Sequence, residues 1–323
     1  MLIIVAPGQG SQTPGMLTPW LENEAFADII DQASAATGLD LRLHGTLSDA
    51  DTIRDTAIAQ PLIVAAGLGS LAAAAATTGF PITAADAVAG HSVGEITAAA
   101  ATGVLSLKDA LELVAVRGRA MADAAAVVQT GMAAVLGGER DEVVSTLAKQ
   151  GLVAANENGA KQIVAAGTLE QLEALSAQPP AGARVRPLQV AGAFHTQFMA
   201  SATDAVCQVS TGMTTQAPSV QLVSNRGGEI VVDGVDFVAR LVSQVSSPVR
   251  WDLCMETFEQ LGVTGLIELF PGGTLTGIAK RALLGVELLA LTSPEDLQQL
   301  PDFVSRHLHR VPSAPSESAE KSD

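Results

Sequence analysis

The segment Gly90-His91-Ser92-Val93-Gly94 holds a serine between two glycines, after an apolar run at 84–89 and before a small-residue run at 95–101. A strand, a G-x-S-x-G turn and a helix in that order read as a nucleophile elbow. The glycines permit a strained turn, so the Ser92 hydroxyl stands free while the N–H of Val93 can face an oxyanion. A serine held this way forms a covalent acyl intermediate. The bland reading is a tight strand–helix turn whose serine caps the helix.

Such a serine needs a base. The chain has five histidines: His44, His91, His195, His307 and His309. His91 adjoins the serine on a sharp turn, where successive side chains diverge. His44 sits in a polar connection, and His307 and His309 lie next to the tail. His195 follows Ala191-Gly192-Ala193-Phe194, precedes a helix start at Thr196 and lies far C-terminal to the serine. It is the expected base, against the alternative of a helix-terminal or core histidine bonded to backbone. No acid between Ser92 and His195 stands out at a strand end, so a backbone carbonyl could orient the base instead.

Arg117 lies on a helix that Ser106 and Asp109 cap as S-x-x-D. Ala110, Val114, Arg117 and Met121 recur at helical spacing, which sets the guanidinium on or beside the apolar stripe. Its neighbours three and four residues away carry no acid, whereas Arg119 has Asp123 available as a surface partner. Burying an unpaired cation is costly. Either a distant acid pairs with Arg117 or a substrate carboxylate does. Gln9 sits between Gly8 and Gly10 after the first strand, where its N–H could be a second oxyanion donor. The loop lacks the lysine of a phosphate-binding P-loop, which excludes a nucleotide site of that kind.

The elements that must position these residues follow from periodicity. Strand 1–6, helical pieces at 22–37 and 61–77, the strand at 84–89 and the helix after Ser106 predict an α/β domain with a mainly parallel sheet. Pro61 suits the first turn of its helix. Residues 128–193 read differently: strands at 132–136, 152–156, 162–166 and 184–190, with helices at 140–150 and 169–177. That β-α-β-β-α-β order predicts an inserted ferredoxin-like subdomain. The chain returns with helices near 196–210, 235–243 and 251–261 and a strand at 265–270. The large domain is then 1–127 with 194–311, and 312–323, rich in Ser, Pro and Glu, is a disordered tail.

With 323 residues, 48% of them hydrophobic, the chain can bury a large core, built mostly from aliphatics because only 3% are aromatic. A net charge of −16 speaks against broad nucleic-acid binding. The run at 61–76 is short and broken by Gly67, Gly69 and Ser70, so a buried helix is expected, with no membrane span. Residues 1–6 lack the basic flank of a signal peptide, and the expected setting is cytoplasmic. Cys207 and Cys254 are expected as buried free thiols and offer no metal-ligand spacing.

Taken together, the motifs resemble the malonyl-CoA:acyl-carrier-protein transacylase family of fatty acid synthesis. The matching pieces are Pro7-Gly8-Gln9-Gly10-Ser11-Gln12, Gln60-Pro61, Gly90-His91-Ser92-Val93-Gly94-Glu95, Arg117-Gly118, Gly192-Ala193-Phe194-His195, Asn225, Gln244 with Ser247-Pro248-Val249-Arg250-Trp251, and Pro271-Gly272. They run in family order over about residues 3–285. The resemblance implies an α/β-hydrolase-like domain carrying a ferredoxin-like subdomain. It implies that Ser92 takes malonyl from malonyl-CoA, that His195 moves the proton and that the main-chain carbonyl of Gln244 orients His195. It also implies that Arg117 holds the malonyl carboxylate and that the N–H groups of Gln9 and Val93 form the oxyanion hole. The thiol of acyl carrier protein then accepts the group, with no cofactor or metal. Phe194 is expected to crowd a 2-methyl branch. Lys161, Arg184, Arg186, Lys280 and Arg281 are candidates for a local basic surface that docks the anionic carriers, against the plainer role of solvated charge. A serine esterase or thioesterase with the same Ser–His pair is one rival reading, and a non-catalytic carrier-binding module is another.

Overall fold

The first strand, β1 (Leu2–Ala6), is Leu-Ile-Ile-Val-Ala and buried along its whole length. A strand apolar on both faces belongs inside a parallel sheet. In the computed structural model, which describes residues 1–190 and 192–308, β1 is followed by α1 (Glu24–Thr37), α2 (Leu41–Thr46), α3 (Thr56–Thr78), β2 (Ala87–Gly90), α4 (Gly94–Ala101) and α5 (Leu107–Val127). Next come β3 (Thr130–Gly137), α6 (Arg140–Lys149), β4 (Val153–Gly159), β5 (Gln162–Thr168), α7 (Leu169–Ala177) and β6 (Ala183–Pro187). The remainder is α8 (Ala200–Ser210), β7 (Gln221–Val223), β8 (Ile230–Val231), α9 (Gly234–Gln244), β9 (Val249–Arg250), α10 (Trp251–Gln260), β10 (Gly265–Glu268), α11 (Thr274–Ala282), β11 (Glu287–Ala290) and α12 (Leu300–His307).

Two sheets result. The first has the order β11-β10-β1-β2-β7-β8, parallel throughout except for β8, which runs antiparallel to β7. Alternate residues of β1 serve its two faces: Leu2 and Ile4 join the core under α1, α3, α4 and α5, while Ile3 and Val5 pack toward α10 and α11. The second sheet has the order β6-β3-β5-β4-β9 and is antiparallel apart from the short β4–β9 pairing. One of its faces carries Ala133, Val135 and Ile163 against Val143 and Leu147 of α6 and Leu172 and Leu175 of α7. The opposite face, with Met132, Val164 and Ala166, completes the main core. A strand from residues 249–250 extends this sheet from outside 128–193.

Several expectations need correction. α3 begins at Thr56, where the Asp55 side chain caps the N–H of Ala57, so Pro61 lies in the second turn and not the first. The strand at 84–89 is β2, shifted to Ala87–Gly90, because residues 82–84 form a 3₁₀ turn. The strand expected at 184–190 stops at Pro187, which ends its ladder. Cys207 is exposed, whereas Cys254 is buried. Arg119 and Asp123 form no ion pair among the described residues. The tail expected at 312–323 lies outside the described residues. α3 is long and apolar enough to cross a bilayer by length and composition, yet most of it is buried within the protein. A helix apolar all round is what a core position requires.

Gly118 explains how α5 reaches the site. A Cβ there would come within 2.9 Å of the Thr56 carbonyl and 3.4 Å of the Pro61 ring. The bare glycine lets α5 lie on the first turns of α3, and its neighbour Arg117 is carried inward with it.

Candidate active site

Ser92 sits just past the end of β2 with φ of 53°, in the left-handed region that a side chain enters only under constraint. The glycines around it are obligatory. A Cβ on Gly90 would meet the Gly94 carbonyl at 2.0 Å, and one on Gly94 would meet the Ala6 carbonyl at 2.3 Å. Asn225 braces the turn: its Oδ1 accepts from the Ser92 N–H at 2.8 Å and its Nδ2 donates to the Gly90 carbonyl at 2.7 Å.

His195 arrives from the segment before α8, also with positive φ, 61°. Its Nε2 lies 2.7 Å from Ser92 Oγ and its Nδ1 lies 2.8 Å from the main-chain oxygen of Gln244. Nδ1–H must donate to that carbonyl, so Nε2 is bare and accepts from the serine hydroxyl. Burial, followed by the nearby Arg117 charge, pushes the His195 pKa down to about 3. The imidazole is therefore neutral near pH 7, with Nε2 unprotonated and facing the serine hydroxyl.

Arg117 is 2% exposed. Its Nη1 donates to Gln60 Oε1 at 2.6 Å, and its Nη2 donates to Gln244 Oε1 at 2.8 Å and reaches Ser92 Oγ at 3.4 Å. Of the two partners expected for it, a distant acid is not in contact: among the described residues no carboxylate forms an ion pair with this guanidinium. Burial lowers its pKa to about 10, opposed by the charge of Glu95, and it stays cationic at neutral pH. Five donors against three bonds leave it capacity for an anion.

Ser92 and His195 open onto a cleft of about 210 Å³ between the two sheets, which Arg117 meets through its bonds to the lining residues Gln60 and Ser92. Gly8, Gln9, Ser92, Phe194 and His195 line it from one side, Met132, Asn156 and Val164 from the other, and Leu275 and Ile278 of α11 at a further edge. Among the described residues, the backbone N–H groups of Gln9 and Val93 donate to no protein acceptor. The Gln9 side chain donates to Thr56 Oγ1 at 3.2 Å, which ties the loop to α3. Phe194 is buried beside His195. No group of three or more His, Cys, Asp or Glu among the described residues is placed to hold a metal ion.

The other histidines do not join Ser92. His91 turns away and bonds Asn158 through Nε2 at 2.8 Å, with its ring against Trp251. His44 bonds Ser48, and His307 bonds Thr264 and Glu287. His309 lies outside the described residues. Lys161, Arg184, Arg186, Lys280 and Arg281 are all at least partly exposed. Lys161 pairs with Glu139, and Arg281 reaches Gln162 at the cleft wall.

Sequence reasoning assigned no task to Gln60, Asn225, Glu95 or the side chain of Gln244. Their signal is a polar residue in apolar surroundings: Gln60 begins an almost wholly apolar run, and Glu95 heads a helix of small residues.

Residues 3–287 match the acyl transferase domain family, and the chain belongs to that family. Within it, the malonyl CoA-acyl carrier protein transacylase of Mycobacterium tuberculosis is 50% identical over 303 residues, which is 93% of this chain and 99% of that one. The crystal structure of MCAT from Mycobacterium tuberculosis superimposes with a TM-score of 0.88 at 51% identity, covering 93% of this chain and 99% of that chain. A malonyl-transacylase in complex with its type II PKS acyl-carrier protein gives a TM-score of 0.84 at 28% identity, over 92% of this chain and 98% of that one.

Proposed function

We propose that this chain moves a malonyl group from malonyl-CoA to the phosphopantetheine thiol of an acyl carrier protein, supplying fatty acid synthesis in the cytoplasm without a cofactor. The observation that carries the reading is a buried guanidinium, in contact with no carboxylate among the described residues, 3.4 Å from a serine hydroxyl. The names of the relatives support the same substrates.

In the first half-reaction His195 Nε2 takes the Ser92 proton as Oγ attacks the thioester carbonyl. The Gln9 and Val93 N–H groups receive the oxyanion. The tetrahedral intermediate collapses, the C–S bond breaks, and the imidazolium returns its proton to the coenzyme A sulfur. The carrier thiol then gives its proton to His195 and attacks the malonyl-serine, and Ser92 Oγ leaves with that proton. The Gln244 carbonyl holds Nδ1–H throughout and stabilises the imidazolium. Arg117 grips the free carboxylate in a charge-assisted, two-point pair that replaces its contact with Ser92 Oγ.

We read residues 1–127 with 194–311 as an α/β-hydrolase-like domain and 128–193 as a ferredoxin-like subdomain. The parallel order β10-β1-β2-β7 supports the first and the antiparallel order β6-β3-β5-β4 the second. An esterase or a binding module has no use for a cation buried against the serine. The test is intact mass after malonyl-CoA. The wild type should gain one malonyl group and lose it to added carrier protein, and Ser92→Ala should gain none. Labelling of Ser92→Ala, or loss of the group to water at the same rate with and without carrier, would overturn the proposal.

A further inference from the structure

Behind the cleft lies a carboxylate that the reaction above does not use. Glu95, in the first turn of α4, is 1% exposed. Its Oε1 accepts from the Asn225 N–H at 2.7 Å, and its Oε2 accepts from Nε2 of Gln244. Both partners hold the reacting groups. Asn225 fixes the Ser92 amide, and Gln244 holds His195 through its carbonyl and Arg117 through its side chain.

We propose that Glu95 is a positioning residue that dictates which end of the Gln244 amide meets Arg117, and thereby aims the guanidinium at the acyl group. This rests on the reading of Arg117 given above. Around Gln244 Nε2 stand three oxygens: Glu95 Oε2, the Ser92 carbonyl at 3.1 Å and Asn225 Oδ1 at 3.4 Å. Around Gln244 Oε1 stands the guanidinium. Reversing the amide would set oxygen against oxygen and NH₂ against a cation. An ionised carboxylate can only accept, so it enforces the observed end. A carboxyl or carboxamide can donate at one of its two positions, which removes the charged part of that constraint and leaves the weaker hold of the Ser92 and Asn225 oxygens.

Glu95 is also poised to lose its charge. Burial pushes its pKa up to about 7, against the bonds from Asn225, Ser224 and Gln244 and the charge of Arg117. The other ionisable groups facing it are Cys254 of α10, whose thiol its charge helps to raise, and Arg226 and Arg240. These two arginines share with Glu95 a cavity of about 200 Å³ that has no lining residue in common with the cleft. His195 stands on the far side of Gln244.

The experiment is steady-state transfer from malonyl and acetyl thioesters by wild type, Glu95→Gln, Gln244→Ala and the double variant, with thermal melts. The Glu95→Gln carboxamide would have one acceptor oxygen for two donors, the Asn225 N–H and the Gln244 amide. We expect Glu95→Gln to cut malonyl kcat/KM by roughly 10–100-fold, the cost of a small misplacement of a positioning group, and the malonyl-to-acetyl ratio by about tenfold. Adding Glu95→Gln to Gln244→Ala should cost less than about threefold more, because Glu95 acts through that amide. In wild type the same ratio should fall as pH drops through about 7, a measurement that needs no variant to fold. An unchanged ratio in a natively melting Glu95→Gln or multiplicative losses in the double variant would each overturn the inference, and a flat wild-type ratio would overturn the loss of charge at Glu95 near pH 7. If Arg117→Ala leaves the ratio untouched, the clamp reading itself has failed. If that variant collapses the ratio while Glu95→Gln does not, only the role of Glu95 is lost.

Discussion

The guanidinium of Arg117 stands 3.4 Å from the hydroxyl of Ser92, and its strong partners are two neutral amide oxygens, from Gln60 and Gln244. Amides orient a cation without neutralising it. A malonyl carboxylate would supply a contacting charge, whereas an acetyl group would leave the cation desolvated with only Glu95, beyond Gln244, to oppose it. Sites built around such a demand reject the lacking analogue by roughly 10⁴-fold. Arg117→Ala is expected to lose most malonyl transfer while retaining acetyl transfer far better. Rates with the two thioesters check this, and an unaltered preference would refute the clamp.

His195 is expected to stay neutral far below the usual histidine range, since burial and Arg117 hold its pKa at about 3 against an ordinary 6.5. Between those values the unfolded chain binds the extra proton. Its contribution to stability is therefore complete above pH 6.5 and is lost as pH falls toward 3. Ring nitrogen shifts followed by NMR should show the Nδ1–H tautomer down to about pH 4, and Arg117→Ala should move the titration upward. An imidazole that titrates near 6.5 in the wild type would contradict this burial argument.

Phe194 packs against the cleft one residue before the base. Phe194→Ala opens room where a 2-methyl branch would project. The ratio of methylmalonyl to malonyl transfer should rise by about 10-fold or more, the usual worth of one methyl group in a tight pocket. Wild-type enzyme that already loads both groups equally would show that Phe194 is not the gate.

Lys280 and Arg281 end α11, whose Thr274, Leu275 and Ile278 line the cleft. Reversing both charges should raise the KM for carrier protein several-fold, and more at low salt, because exposed charges act over about a Debye length of 10 Å. Hydrolysis of small thioesters should be spared. The same comparison at Arg184, Arg186 and Lys161 maps the edge of the docking face. A KM indifferent to these reversals would remove the residues from it.

Much of this was written locally. Ser92 could be singled out because the strained turn needs its two glycines within five residues. Arg117 stood out because a cation among apolar neighbours, with no acid three or four residues away, is conspicuous in one dimension. The strands around 132–166 alternate with helices closely enough that their order could be read directly. Other features were hidden. Cys207 lies in a helix, and helical pattern did not reveal that its side of α8 faces water. α11 and the short strands β7, β8 and β9 lack the length that makes periodicity decisive.

Local chemistry in the chain thus singled out Ser92, His195 and Arg117 and the kinds of element that carry them, because turn strain, capping and periodicity act over a few residues. Their meeting was decided by the fold. Strand order sets β2 between β1 and β7, so Asn225 and Ser92 become neighbours although 133 residues separate them. The close approach of α5 to α3 at Gly118 carries Arg117 inward, and the end of α9 delivers both the carbonyl and the amide of Gln244. Contacts of that range depend on which surfaces pack together, and no spacing along the chain encodes them. The hidden link from Glu95 through Gln244 to Arg117 exists only there.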